Sequence, residues 1–200
     1  WRDELAEHFD QAKRMLGVTT YRGETAPDRL IAEVAADLGV ADTLHQTGVG
    51  VLLGEPGVPQ GTEVPDPFFG GAGPSRRTCI ECGACMTGCR HGAKNSVDLN
   101  YLHLAEGAGA QVHPMTTATG VEALPGGGWA ITAHRSGNRL RRRRFTAGQV
   151  VFAGNALNTQ ELLHRLKAST LPDLSPRLGE LSRTNSEAVL TARSSDPNAD

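Results

Sequence analysis

The sequence predicts an α/β (α+β) chain: helices near its start, an antiparallel stretch in its second half, and a strand–glycine–helix unit behind that. Three observations carry this expectation. Leu5, Phe9, Ala12 and Leu16 recur at helical spacing with charges between them. From Val112 to Thr146 the pattern turns strand-like, with a hairpin turn at Ser136-Gly137-Asn138. Val150, Val151 and Phe152 then form a short continuous apolar run, the signature of a strand buried on both faces.

Residues 3 to 16 read as an amphipathic helix that ends near Gly17. Thr25 suits an N-cap because Pro27 and Asp28 follow in the first turn, and Leu30, Ile31, Val34 and Leu38 give the apolar face of a second helix that stops at Gly39. Val49 to Leu53 is a short strand candidate bounded by glycines. Residues 54 to 78 are dense in Gly and Pro, carry the Phe68-Phe69 pair, and read as ordered loop. Residues 96 to 106 read as a helix with Tyr101 and Leu102 facing inward. The run at 150 to 152 ends at Ala153-Gly154 and enters a helix with Leu157, Leu162, Leu163 and Leu166. From Ser186 onward the residues are Ser-, Asn-, Asp- and Pro-rich, and a loose tail is expected.

The composition narrows the function classes. The formal net charge is −2, which leaves no electrostatic footprint for nucleic acid or a membrane surface. Arg141 to Arg144 alternate between the faces of a strand and make no single basic patch. With 24 Gly, 11 Pro and 4% aromatic residues, the chain should be loop-rich with a small core of its own. No apolar run is long enough for a transmembrane segment. The first residue is Trp1, already on a helical pattern, so an internal segment of a longer protein is expected.

All four cysteines fall in one run, Cys79-Ile-Glu-Cys82-Gly-Ala-Cys85-Met-Thr-Gly-Cys89. Tight clustering points to metal and a reducing compartment, hence the cytoplasm, rather than to a disulfide framework. The spacing C-x2-C-x2-C-x3-C is that of bacterial ferredoxins, where a tight loop aims thiolates at an iron–sulfur (4Fe-4S) cluster. Arg90 stands where those loops carry Pro, and Cys89 is the least secure ligand because it must fold back. A structural zinc and free thiols are the alternatives; the run is compact for zinc knuckles.

Several stretches together resemble the cholesterol-oxidase-like, actinobacterial branch of the glucose-methanol-choline (GMC) oxidoreductases. They are Leu16-Gly17-Val18, Val64-Pro-Asp-Pro-Phe-Phe-Gly-Gly-Ala-Gly-Pro74, Gly88-Cys-Arg-His-Gly-Ala-Lys-Asn95, the run from Asn100 to Val112, the run from Val150 to Leu163, Leu178-Gly179, and Arg183 to Glu187. The resemblance implies a two-domain FAD-dependent enzyme that oxidises an alcohol by hydride transfer to flavin. In this branch the substrate is a 3β-hydroxysteroid such as cholesterol, and the acceptor is oxygen or a redox carrier. It implies a backbone grip on the adenine end of FAD at Ala118, and a close approach to the cofactor at Ala153, Gly154 and Asn155. The glycine fingerprint of the dinucleotide fold has no counterpart here, since Gly70-Gly-Ala-Gly73 reads as loop. The family's catalytic His and Asn fall beyond residue 200, so no catalytic residue is expected in this chain.

The expected division is 1–78 as substrate-side helices and strand, 79–95 as the cysteine loop, 96–168 as part of the FAD-binding domain, and 169–200 as a return segment. The alternative function is an iron–sulfur electron-transfer or structural metal-binding module. The strand–Gly–helix unit at 150 to 166 favours the flavoprotein, because a small ferredoxin has no use for it.

Overall fold

The structure, a computed structural model, describes residues 1–185 and residue 195. It divides into two compact units, Trp1–Val112 and a second that starts at His113. The expected loose tail from Ser186 lies outside the described residues, Ser195 excepted.

In the first unit, helix α1 (Arg2–Met15) carries Asp3 and Glu4 in its first turn and Lys13 and Arg14 in its last, each sign at the favourable end of the helix dipole. Gly17 follows in a left-handed conformation (φ 51°), and a Cβ there would lie 2.3 Å from the Phe68 ring and 2.5 Å from the Asn95 amide. Only glycine fits that close approach. Helix α2 (Ala26–Asp37) begins as its sequence predicts: Asp28 accepts from the Thr25 backbone N–H at 2.7 Å and from its hydroxyl at 2.6 Å. Strand β1 (Thr19–Thr20) pairs antiparallel with β2 (Gly48–Val49). The extended chain continues past β2, where Val51 bridges Lys94, and Cys79 N–H donates to Leu52 C=O at 2.7 Å.

Residues 54 to 78 are more regular than expected, since β3 (Glu63–Val64) pairs with β4 (Arg76–Arg77). The loop between them is gathered on Asp66, and Gly70 to Gly73 form a turn, not a helix entry. Helix α3 (Tyr101–Gly107) is shorter than the predicted 96–106, because a single-turn helix (Val97–Leu99) precedes it. Tyr101 and Leu102 are exposed, contrary to the inward placement expected of them. Asn100 is the buried residue of this turn; its amide donates to Met15 C=O at 3.2 Å and its Oδ1 accepts from Tyr101 N–H.

The buried side chains of this unit are mostly polar: Arg76, Thr78, Asn95 and Asn100 beside Ala93. A hydrogen-bonded hub holds the loops where an apolar core would otherwise stand. Asn95 and Asn100 together cap the C-terminal end of α1, Asn95 donating to Leu16 C=O at 2.7 Å.

The second unit is a three-stranded antiparallel meander, β5 (Thr116–Ala123), β6 (Trp129–Arg135) and β7 (Asn138–Ala147). The turn at Ser136-Gly137 lies where the sequence places it. The register of β5 shifts between Ala118 and Gly120, a bulge at Thr119. Val121, Ala130 and Ala133 are its buried apolar strand residues, and α4 (Ala156–Lys167) adds the buried Leu166. The four arginines at 141 to 144 are exposed along β7, and Arg144 pairs with Glu122 at 2.9 Å.

The predicted buried strand at 150 to 152 is not formed. Val151 is 88% exposed, and residues 149 to 153 are extended coil. A strand exists only where a neighbour pairs with it, and among the described residues no strand pairs with 150 to 152.

Candidate functional site

Two places in the chain gather chemistry-bearing residues, one in each unit. In the second unit, an open cavity of about 680 Å³ is lined by Thr116, Thr117 and Ala118 of β5, by Val150 to Gly154, and by Thr159 and Arg165 of α4. That volume lies in the range of ligand pockets. Ala118, Ala153 and Gly154, all singled out from sequence, therefore face one space. Asn155 does not line it. Asn155 takes a left-handed conformation (φ 62°) at the N-terminus of α4, and its Oδ1 accepts from Asn158 N–H at 3.0 Å.

The step into α4 is fixed by side chains. Thr159 Oγ1 accepts from Gly154 N–H at 3.0 Å, which turns the chain from the extended run into the helix. A Cβ on Gly154 would make only ordinary contacts, 3.6 Å to Thr159 Oγ1 and 3.9 Å to Asn158 Cβ. The chain's own packing does not demand glycine there. Among the described residues none pairs with the backbone of Val150 to Ala153, so its N–H and C=O groups are available at the cavity wall. Arg165 lines the cavity while paired with Glu161 at 2.7 Å.

In the first unit, Cys79, Cys82, Cys85 and Cys89 all line one cavity of about 260 Å³ with Tyr21, Val49, Val51, Leu53 and Ile80. All four thiols are free, Cys82 and Cys85 exposed and the other two half-buried. Among the described residues no three His, Cys, Asp or Glu side chains are placed to hold one metal ion. The zinc alternative therefore has no preformed site, and the expected four-cysteine ligand set does not converge on a point.

Cys89, the least secure ligand from sequence, has the most developed surroundings. Burial pushes its thiol up, but the backbone N–H groups of Lys94, His91, Ala93 and Gly92 outweigh that and hold it below its ordinary value. The same segment turns its carbonyls the other way. Arg76, 2% exposed, donates through Nε to Gly92 C=O at 2.6 Å and through Nη2 to Ala93 C=O at 3.1 Å and Lys94 C=O at 3.0 Å. Its Nη1 reaches Asn95 Oδ1 at 2.6 Å, and its guanidinium carbon stands 5.5 Å from the centre of the Phe68 ring. Burial lowers the Arg76 guanidinium below its ordinary value, while the negative groups Cys89, Asp66 and Asp98 act to raise it. Lys94 Nζ donates to Cys85 C=O at 2.9 Å. Arg76 and Asp66 were not found as site residues from sequence. The Pro and Gly that crowd the Asp66 turn were its only local signal.

Residues 75–180 match the family model of the GMC oxidoreductases. The chain belongs to the GMC oxidoreductase family. The match spans both the cysteine loop and the 680 Å³ cavity, so both are parts of a GMC architecture. The chain is 52% identical over 204 residues to a cholesterol oxidase of Mycobacterium tuberculosis, covering all of this chain and 35% of that protein. It is 39% identical over 201 residues to a cholesterol oxidase of Acinetobacter baumannii, covering 96% of this chain and 36% of that protein. The chain thus spans about a third of the length of these GMC relatives. No helix among the described residues is long and apolar enough to cross a membrane.

Proposed function

We propose that this chain is an internal segment of an FAD-dependent alcohol oxidoreductase with a two-domain GMC fold, acting on a 3β-hydroxysteroid. One observation carries the reading. Ala118 on β5 and Ala153-Gly154 before α4, distant in sequence, line a single open cavity. The residues there fit a flavin: bare backbone at 150 to 153, and a glycine whose missing side chain the chain does not itself exploit. In this assignment Ala118 holds the adenine end through its backbone, and Ala153, Gly154 and Asn155 shape the approach to the cofactor, Asn155 by setting the start of α4. Bound flavin would accept the hydride that the alcohol carbon gives up; the hydroxyl proton goes to a base outside this chain.

The substrate class comes from the printed names of the two relatives, both cholesterol oxidases. The electron acceptor is oxygen or a redox carrier. Clustered free thiols suit a reducing compartment, and we place the protein in the cytoplasm on that ground. Residues 1–78 belong to the substrate side, 79–95 to the cysteine loop, 96–168 to the FAD-binding domain and 169–200 to the return segment. An independent electron-transfer or structural metal module is less well supported, because the family match runs through the loop without a break.

The test uses the full-length protein. It is expected to carry FAD and to convert cholesterol to a ketosteroid. Gly154→Val should lose flavin and turnover together, while Gly154→Ala, for which the chain has room, folds normally and binds FAD more weakly. Full flavin content and unchanged turnover in Gly154→Val would show that the cofactor lies elsewhere.

A further inference from the structure

We infer that Cys79, Cys82, Cys85 and Cys89 bind a cuboidal iron–sulfur cluster, not a single metal ion, in the cavity that they share. Their placement suits a cluster better than a single ion. All four side chains line one cavity of about 260 Å³, yet no three metal-ligating side chains among the described residues are placed to hold one ion. Zinc draws all its donors to within about 2.0–2.3 Å of one centre. A cuboidal cluster has its irons at separate corners and takes one thiolate at each, so its ligands stand apart around a shared space.

The backbone supplies the second, independent observation. Glu81, a non-glycine residue between two of the cysteines, is held at φ 56°, and its N–H donates to Cys79 Sγ at 3.3 Å. Such strain persists only where the surroundings impose it, and it collects at ligand-holding loops. Past the end of the run, the buried Arg76 holds the segment that follows Cys89 by donating to the carbonyls of Gly92, Ala93 and Lys94. Arg76 and Lys94 also bring two positive charges to a group that would be anionic, and Val49, Val51, Leu53 and Ile80 give the cavity an apolar wall.

Uptake of a preformed cluster is ligand exchange. Four cysteine thiols release their protons to solvent, and the thiolates replace the cluster's outgoing ligands one for one, with no electron transferred. If the flavoprotein reading also holds, the cluster offers a one-electron route by which electrons leave the flavin.

The experiment measures iron, acid-labile sulfide, zinc and released flavin separately in full-length protein purified without oxygen. Protein low in iron is then incubated with a preformed [4Fe–4S] cluster held by 2-mercaptoethanol. The expected result is about four iron and four sulfide per chain, present at purification or after uptake. Iron in Cys82→Ser and in Cys85→Ser, both at exposed positions, should fall to less than about half of that, with flavin retained. Zinc, iron without sulfide, or neither metal even after exposure to the preformed cluster overturns the inference, whatever the variants do. Iron and sulfide without flavin overturn the flavoprotein reading and leave this one standing. Flavin without iron and sulfide does the reverse.

Discussion

Asp66 is a single carboxylate that organises a whole turn. Its two oxygens accept from the N–H groups of Phe68 at 2.9 Å, Phe69 at 2.9 Å, Gly71 at 2.9 Å and Gly73 at 3.0 Å. Desolvation raises its pKa, but those four N–H groups outweigh it and leave the carboxyl below its ordinary value. The sign of the linkage follows. Since the folded value lies below the unfolded one, the stabilisation is complete above about pH 4 and is lost as pH falls through the depressed folded value. Asp66→Asn keeps the shape but loses the charge and one acceptor, so it should weaken the full-length protein by about 2 kcal/mol at neutral pH. It should also flatten the acid side of its stability curve. Urea unfolding midpoints measured from neutral pH down to about pH 3 test both parts. An unchanged slope below about pH 4 would mean that Asp66 does not carry the linkage.

At the scale of elements, Arg76 does for the cysteine loop what Asp66 does for its turn. It lies on β4 and ties that strand to residues 92 to 95 through four acceptors. Arg76→Lys cannot reproduce the planar fork; Ala93 and Lys94 C=O keep the N–H groups of Leu52 and Ser96, but Gly92 C=O and Asn95 Oδ1 depend on Arg76. A loss on the order of 3 kcal/mol is expected in either Arg76→Lys or Arg76→Met, read as a lowered urea midpoint. If lysine restored full stability, charge alone would be the requirement and the fork geometry irrelevant. This hub also marks the limit of what could be read from residues in order. The helices α1, α2 and α4, the hairpin turn at Ser136-Gly137 and the capping pair Thr25–Asp28 are local matters of periodicity and capping, and they stand where the pattern puts them. Ala118 and Gly154 were named separately, each through resemblance, and the structure lines one cavity with both. Arg76 and Asn100 escaped because their partners are long-range, residues 92 to 95 for Arg76 and Met15 on α1 for Asn100, and no local spacing encodes them. Val150 to Phe152 misled for the opposite reason: the apolar run is local, but the strand requires a neighbour.

The whole molecule leaves much apolar surface uncovered. On α2 and its C-cap, Leu30, Ile31, Val34 and Leu38 are all more than half exposed, and Phe9 on α1, Leu157 on α4 and Val151 before it are as well. Among described residues the buried apolar side chains are only Ala93, Val121, Ala130, Ala133 and Leu166. A face with helical periodicity that stays in water gains nothing from its pattern, so each of these faces calls for cover. Proteins about three times as long, of which this chain matches a third, have the material to supply it. The prediction is that residues 1–200 expressed alone will bind a dye for exposed apolar surface strongly, associate in a concentration-dependent way, and take up FAD weakly or not at all. The weak uptake follows because the glycine turn that seats the pyrophosphate at a helix N-terminus is missing from these residues. Full-length protein should show none of the three. Light scattering and dye fluorescence report the first two, and flavin retained through gel filtration reports the third. A monomeric, dye-silent, yellow 200-residue protein would mean that the exposed faces need no cover and that the cavity beside Gly154 suffices for the cofactor.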